Sequence, residues 1–284
     1  MNPIALLPLA LAPGVFWLWF FLRRRVYRPK PRRLLALTFF LGMLSTIPAG
    51  LLEGVTLRGR DLSQETSLAT VAAGMLFVVG PVEELAKFAV VRLVPYRSLY
   101  FDEPLDGLIY SAAASLGFAS LENLGYMLAY GPAVILVRGP LSTLAHVMFG
   151  SIWGYALAWQ SQRDTKRITP ILIGVAVAAV VHGLFNVAVF SSPLFALVLT
   201  LAGFAWVLTR FQWGQRISPF RLRRNYPLTQ CETCGRQIRV ISRYCRFCGA
   251  PARPGHSTLS CGLCGALNRA EAAYCTRCGD RFLF

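Results

Sequence analysis

Cysteine is absent from the first 230 residues; all eight lie between Cys231 and Cys278. That absence denies the larger part of the chain any disulfide, thiolate metal site or cysteine nucleophile. Charge is scarce too, at 15% of 284 residues against 55% hydrophobic. Soluble globular domains carry about 25% charged residues, so most of this chain is built for a lipid solvent rather than water. Lys and Arg are missing ahead of the first apolar run, Ile4–Leu22, and gather after it as Arg23, Arg24, Arg25, Arg28, Lys30, Arg32 and Arg33. A cleavable leader has its basic residues on the other side of the apolar core, which excludes that reading. The net charge of +16 sits in short clusters between apolar runs, a pattern of topology signals rather than of a soluble nucleic-acid-binding face.

What is there in quantity is apolar length. A helix needs roughly 20 apolar residues to cross the hydrocarbon, because each backbone polar group must be bonded within the segment. Seven stretches meet this, near residues 3–22, 34–53, 68–93, 105–130, 139–160, 168–190 and 192–210. The expected architecture is an all-α polytopic bundle of about seven transmembrane helices. With positive charge inside, the Arg23–Arg33 cluster is cytoplasmic and the N-terminus outside. Seven crossings then put Arg163, Lys166 and Arg167, and the tail with Arg216, Arg221, Arg223 and Arg224, on the cytoplasmic side as well. Arg58 and Arg60 fall on the outer side, partly offset by Asp61 and Glu65.

Ionisable side chains at bilayer depth cost about 2.5–3.5 kcal/mol each on insertion scales and mark function. Four successive spans carry them: Glu83, Glu84 and Lys87; Glu122 with Asn123; His146; and His182 with Asn186. Only three histidines occur, and two of them lie inside spans. Glu83 and Lys87, Phe118 and Glu122, and His182 and Asn186 are spaced to share a helix face. At 1.5 Å per residue the depths are about 15 Å for Glu83 and Glu84, about 24 Å for Glu122 and about 20 Å for both histidines. Any one of these groups alone, like Asp106, reads as a packing device; together they read as a site. Two imidazoles and a carboxylate make a catalytic zinc shell, with His146, His182 and Glu122 as ligands and Glu83 or Glu84 as general base. Water activated directly by Glu and His, with Asn186 and the second His holding the oxyanion, is equally compatible. An ion or proton pathway would use the same residue types, but inverted repeats are lacking; a non-catalytic scaffold is the remaining alternative.

These motifs resemble the PrsW family of intramembrane proteases, related to the CAAX prenyl endopeptidase and bacteriocin-processing superfamily. The resemblance rests on EExxK at Glu83, Glu84 and Lys87, FxxxEN at Phe118, Glu122 and Asn123, the isolated His146, and HxxxN at His182 and Asn186, in that order. The block Asp106–Tyr126 is especially similar, and residues 30–210 are covered. The resemblance implies an intramembrane endopeptidase of a bacterial or archaeal cell membrane. It implies Glu83, Glu84, Glu122, His146 and His182 as the functional set, and site-1-type cleavage of a membrane-bound protein such as an anti-sigma factor.

The tail is different in kind. Residues 1–210 form the expected membrane domain and 211–230 a basic linker. After it the spacing CxxC, ten residues, CxxC occurs twice with a period of 30: Cys231, Cys234, Cys245, Cys248, then Cys261, Cys264, Cys275, Cys278. Gly235, Gly249, Gly265 and Gly279 follow the second cysteine of each pair, as tight knuckles require. Two structural zinc ribbons, 231–250 and 261–280, are expected in a reducing cytoplasm. Eight Arg stand against three acidic residues in 231–284. Two zinc ions with eight thiolates would leave about +1, too little for a nucleic-acid module, so docking of a cytoplasmic protein is expected instead. The cofactors expected are thus two structural zinc ions and one possible catalytic zinc.

Overall fold

The structure, a computed structural model, describes residues 3–25, 30–98, 100–161, 168–218, 228–239, 244–245, 247–251, 258–261, 266–269, 272–277 and 282. The chain divides into two compact units, Met1–Ile217 and Ser218–Phe284.

The first unit is helical: α1 Pro3–Arg23, α2 Arg32–Thr56, α3 Leu68–Gly74, α4 Gly80–Leu93, α5 Pro104–Tyr130, α6 Ile135–Arg138, α7 Ser142–Ser161, α8 Thr169–Ser191 and α9 Pro193–Arg216. Proline at the start of α5, α8 and α9 suits a first turn whose amides have no partner in any case. Between α3 and α4 the chain makes a π-helical turn, Met75–Val79. Pro81 has no N–H for the carbonyl of Phe77, and the wider turn absorbs that loss.

Among the described residues, five helical segments are long and apolar enough to cross a membrane: α1, α2, Leu68–Arg97, α8 and α9. The pair Pro132–Arg138 and α7, bent by 47°, makes a sixth. The remaining expected span, α5, falls short on apolarity although it has 27 residues. Its sequence is rich in Gly, Ala and Ser, and every residue from Pro104 to Ser120 is buried. It is the axis of the bundle, packed by α1, α2 and α7, so it faces protein rather than lipid. Small residues allow that: a Cβ on Gly107 would strike the carbonyl of Gly154 in α7.

Basic residues that the sequence reading takes for topology signals make buried ion pairs. Lys30 is buried and bonds Asp102 at 2.7 Å and Asp106 at 2.8 Å. Arg25 pairs with Glu103, and with Asp106 at 3.2 Å. Two of the basic residues read as loop charges thus clamp the α1–α2 connection to the start of α5.

In the second unit β1 Leu228–Gln230, β2 Gln237–Arg239, β3 Thr258–Ser260 and β4 Leu267–Arg269 form one antiparallel sheet in the order β2-β1-β3-β4. The β1–β3 pairing at Leu228 and Ser260 joins the two cysteine repeats, so the ribbons share a sheet. Helix α9 continues through Arg216, so residues 211–216 of the expected linker are helical.

Candidate active site

The helical spacing of EExxK sends Glu83, Glu84 and Lys87 of α4 into the bundle together, all buried. The Lys87 ammonium lies 3.1 Å from Glu83 Oε2, 2.8 Å from Glu84 Oε1 and 2.9 Å from His146 Nδ1. Phe118 of α5 offers its ring face to the same ammonium at 4.4 Å. Glu84 is enclosed: Trp153 of α7 donates its indole N–H to Oε2 at 2.9 Å, and His182 Nδ1 of α8 sits 3.0 Å from Oε1. The Phe149 ring stacks on His182 at 4.4 Å and fixes its plane.

Close approach of α8 to the π-helical turn makes this possible. A Cβ on Gly183 would lie 2.7 Å from the Met75 carbonyl and 2.8 Å from the Leu76 Cα, so only glycine lets His182 come this near.

The ligand atoms that converge, all within 4.8 Å of one another, belong to Glu83, His146 and His182. Glu83 Oε2 is 3.7 Å from His182 Nε2 and 4.0 Å from His146 Nδ1. Glu122, expected from the sequence as a ligand, lies on the far nitrogen of His146, 2.9 Å from Nε2. It is also 3.0 Å from Arg138 Nη2. Asn123 accepts from Arg138 Nε at 2.9 Å and donates to Thr143 at 3.0 Å, tying α5 to α6 and α7. Asn186 lines a cavity of about 440 Å³ together with Glu53, Glu83, Glu122 and Tyr126. A second cavity of about 460 Å³ shares Glu122, Tyr126 and Asn186 and adds Arg138 and His146. Both reach the loop after α2, where Ser63 accepts from the Tyr130 hydroxyl at 3.0 Å. In that loop, hydrogen bonds from the Ser63 side chain and amide hold the Asp61 carboxyl below its usual range.

Every motif residue of the sequence reading is therefore at this site or bonded to one that is. Four participants were not anticipated. Trp153 is two turns along α7 from His146, on the same face, and that spacing was a usable signal. Glu53, one carboxylate among the apolar residues of α2, was another. Tyr126, four residues after Glu122 on α5, shared its face and was a third; Arg138 had no sequence signal, because its role comes from the bend between α6 and α7.

In the tail, the Cys231 and Cys248 sulfurs are 3.7 Å apart and those of Cys234 and Cys245 3.6 Å. A tetrahedral zinc with bonds of about 2.3 Å needs sulfurs about 3.8 Å apart, so the donor set fits. Gly235 and Gly249 have φ of 67° and 76°, the left-handed conformation that closes each knuckle. The Cys234 amide holds the Cys231 thiol below its usual value, which favours the thiolate a metal binds. Of the second set, Cys261 and Cys275 are buried; Cys264 and Cys278, with Gly265 and Gly279, lie outside the described residues.

Apolar helices around a buried pocket of two imidazoles, three carboxylates and a lysine define a polytopic membrane protein with a hydrolase-type centre. Residues 30–210 match the family described as PrsW family intramembrane metalloprotease, and the chain belongs to that family. Among its curated relatives, Protease PrsW of Bacillus subtilis (strain 168) is 29% identical over 187 residues, 64% of this chain and 81% of that protein. Protease PrsW of Geobacillus kaustophilus is 31% identical over 182 residues, 64% of this chain and 78% of the relative. The Clostridioides difficile protein of the same name is 26% identical over 205 residues, 70% of this chain and 82% of the relative. No solved structure matches the chain. The chain is an intramembrane endopeptidase, an integral membrane protein acting on membrane-bound substrates.

Proposed function

We propose that this protease makes a site-1-type cut in a membrane-bound regulatory protein, an anti-sigma factor being one such substrate, from the outer half of the membrane. The observation that carries the mechanism is Glu83 Oε2, set between Lys87 at 3.1 Å, His182 Nε2 at 3.7 Å and His146 Nδ1 at 4.0 Å, on the wall of a cavity a peptide can enter. In this reading Glu83 takes the proton of the attacking water. Glu84 is too enclosed for that and orients His182 and Lys87. Asn186 donates to the developing oxyanion, and Glu122 holds His146. In a second reading Glu83, His146 and His182 would hold a catalytic zinc, with Glu83 a ligand rather than the base, and the metal would supply an acidified water and a Lewis acid for the scissile carbonyl. The cavities open beside the loop after α2. With the N-terminus outside and the tail cytoplasmic, that loop is on the outer face, opposite the arginine clusters.

The tail is proposed to hold two structural zinc ions and to dock a cytoplasmic protein. Cys231, Cys234, Cys245 and Cys248 form the first site; Cys261, Cys264, Cys275 and Cys278 form the second.

The test is zinc content and cleavage measured on the same purified protein in detergent, against a panel of single-span substrates. About three zinc ions per chain are expected, falling by one in His182→Ala, with turnover lost in that variant. Glu83→Gln should lose about 10³-fold in kcat, within the range for a missing general base. Two zinc ions per chain with full turnover would remove the catalytic metal and leave the direct Glu–His mechanism. Cleavage undiminished in Glu83→Gln would end both.

A further inference from the structure

We propose that Arg138 is a positioning residue for catalysis: it fixes the Glu122 carboxylate, which in turn fixes the ring of His146. Arg138 is a full positive charge, 9% exposed, on the one-turn helix α6 that precedes the bend into α7. A buried guanidinium is costly unless its charge is compensated. Here its charge is set against Glu122 and its Nε–H is donated to Asn123. Nη2 meets Glu122 Oε2 at 3.0 Å and Nε meets Asn123 Oδ1 at 2.9 Å, while its plane lies over the Tyr126 ring at 3.7 Å. Glu122 and Asn123 are consecutive residues of α5, so the planar fork of one guanidinium sets both side chains at once.

From Glu122 the chain of contacts continues inward. The same Oε2 is 2.9 Å from His146 Nε2. An ammonium can only donate, so Nδ1 of His146 accepts from Lys87 at 2.9 Å, which leaves the hydrogen of the neutral ring on Nε2, the nitrogen that faces Glu122. His146 therefore presents Nδ1, not Nε2, toward Glu83. Remove Arg138 and the Glu122 carboxylate loses its only cation at contact distance among the described residues; it is free to turn into the cavity that both side chains line. The ring of His146 is then released. Nothing in the EExxK, FxxxEN or HxxxN motifs marks this residue.

The proposal rests on the endopeptidase reading, so its test has a readout that needs no turnover. Acylation of His146 by diethyl pyrocarbonate, followed by peptide mass spectrometry with His182 as internal reference, reports how firmly the His146 ring is held between Lys87 and Glu122. In Arg138→Met the His146 rate should rise about tenfold with His182 unchanged; an unchanged His146 rate overturns the proposal whatever the protease assay gives. On a cleaved single-span substrate, Arg138→Met should lose about 100-fold in kcat with KM within about threefold. Glu122→Gln should lose as much, and the double variant no more than the worse single one. Fully additive losses would show Arg138 acting elsewhere. Methylguanidinium added to Arg138→Ala should restore at least tenfold of the rate, which a merely structural arginine would not show. Should the Met and Ala variants fail to assemble, Arg138→Lys decides: it retains the charge and loses the fork, and activity equal to wild type would sink the idea. Absence of cleavage by wild type with the expected acylation pattern would overturn the protease reading and leave Arg138 in its place.

Discussion

Lys87 balances the buried charge of the site. Its three N–H groups face two carboxylates and an imidazole, at 3.1, 2.8 and 2.9 Å. Removing one member of a buried ion pair costs about 3–5 kcal/mol, because the partner is left uncompensated. Lys87→Met is therefore expected to lower the unfolding midpoint in detergent sharply and to abolish cleavage. Trp153→Phe makes a finer probe: it keeps an aromatic ring beside Phe88, removes the indole bond to Glu84 and leaves a small void where the rest of the indole was. A hydrogen bond to a charged group contributes about 1.5–3 kcal/mol, so a roughly tenfold or greater fall in kcat is expected with the fold retained. Wild-type kcat in purified Trp153→Phe would mean that the orientation of Glu84 does not matter. The motif residues were legible because charge in an apolar span is conspicuous and helical spacing says which charges share a face. Trp153 was legible only through its spacing from His146, because a tryptophan in an apolar helix looks the same by composition whether it meets lipid or a carboxylate.

Among the elements, the contact between α8 and the π-helical turn has the greatest leverage. Gly183 sits against backbone atoms of Met75 and Leu76, which cannot yield as a flexible side chain would. Gly183→Ala is expected to destabilise by about 1–3 kcal/mol and to push His182 away from Glu84, with a fall in kcat larger than the change in folding predicts. Circular dichroism with kinetics on the same preparation tests it. A variant with normal kcat would remove the close approach from the argument. Helix α5 shows the limit of reading apolarity alone. Its length and position were legible, but its modest hydropathy was not a defect of a span; it was the mark of a helix wrapped by other helices, where small residues permit contact and lipid need not be faced.

For the whole molecule, the separation into a cysteine-free membrane unit and a cysteine-rich tail makes topology and metal content testable together. In intact cells a membrane-impermeant maleimide should label Ser63→Cys, beside the cavity mouth, and leave the native tail thiols untouched. Labelling of the tail with Ser63→Cys protected would invert the orientation. Cys231→Ser should remove one zinc per chain in the purified protein without changing turnover of a substrate that needs no docking partner. Loss of basal turnover would instead make the tail part of the catalytic unit. The sequence by itself determined that the chain lives in a membrane, which residues are expensive there, and that the tail carries paired cysteines in a metal-site spacing, since each follows from local composition or from spacing within one helix or knuckle. Only the tertiary structure decided which carboxylate meets which imidazole. It set Glu83 rather than Glu122 between the histidines, and it drew in Arg138, Trp153 and Glu53. Those choices depend on helix rotation, on a π-helical turn and on a 47° bend, which arise from packing between elements distant in the chain.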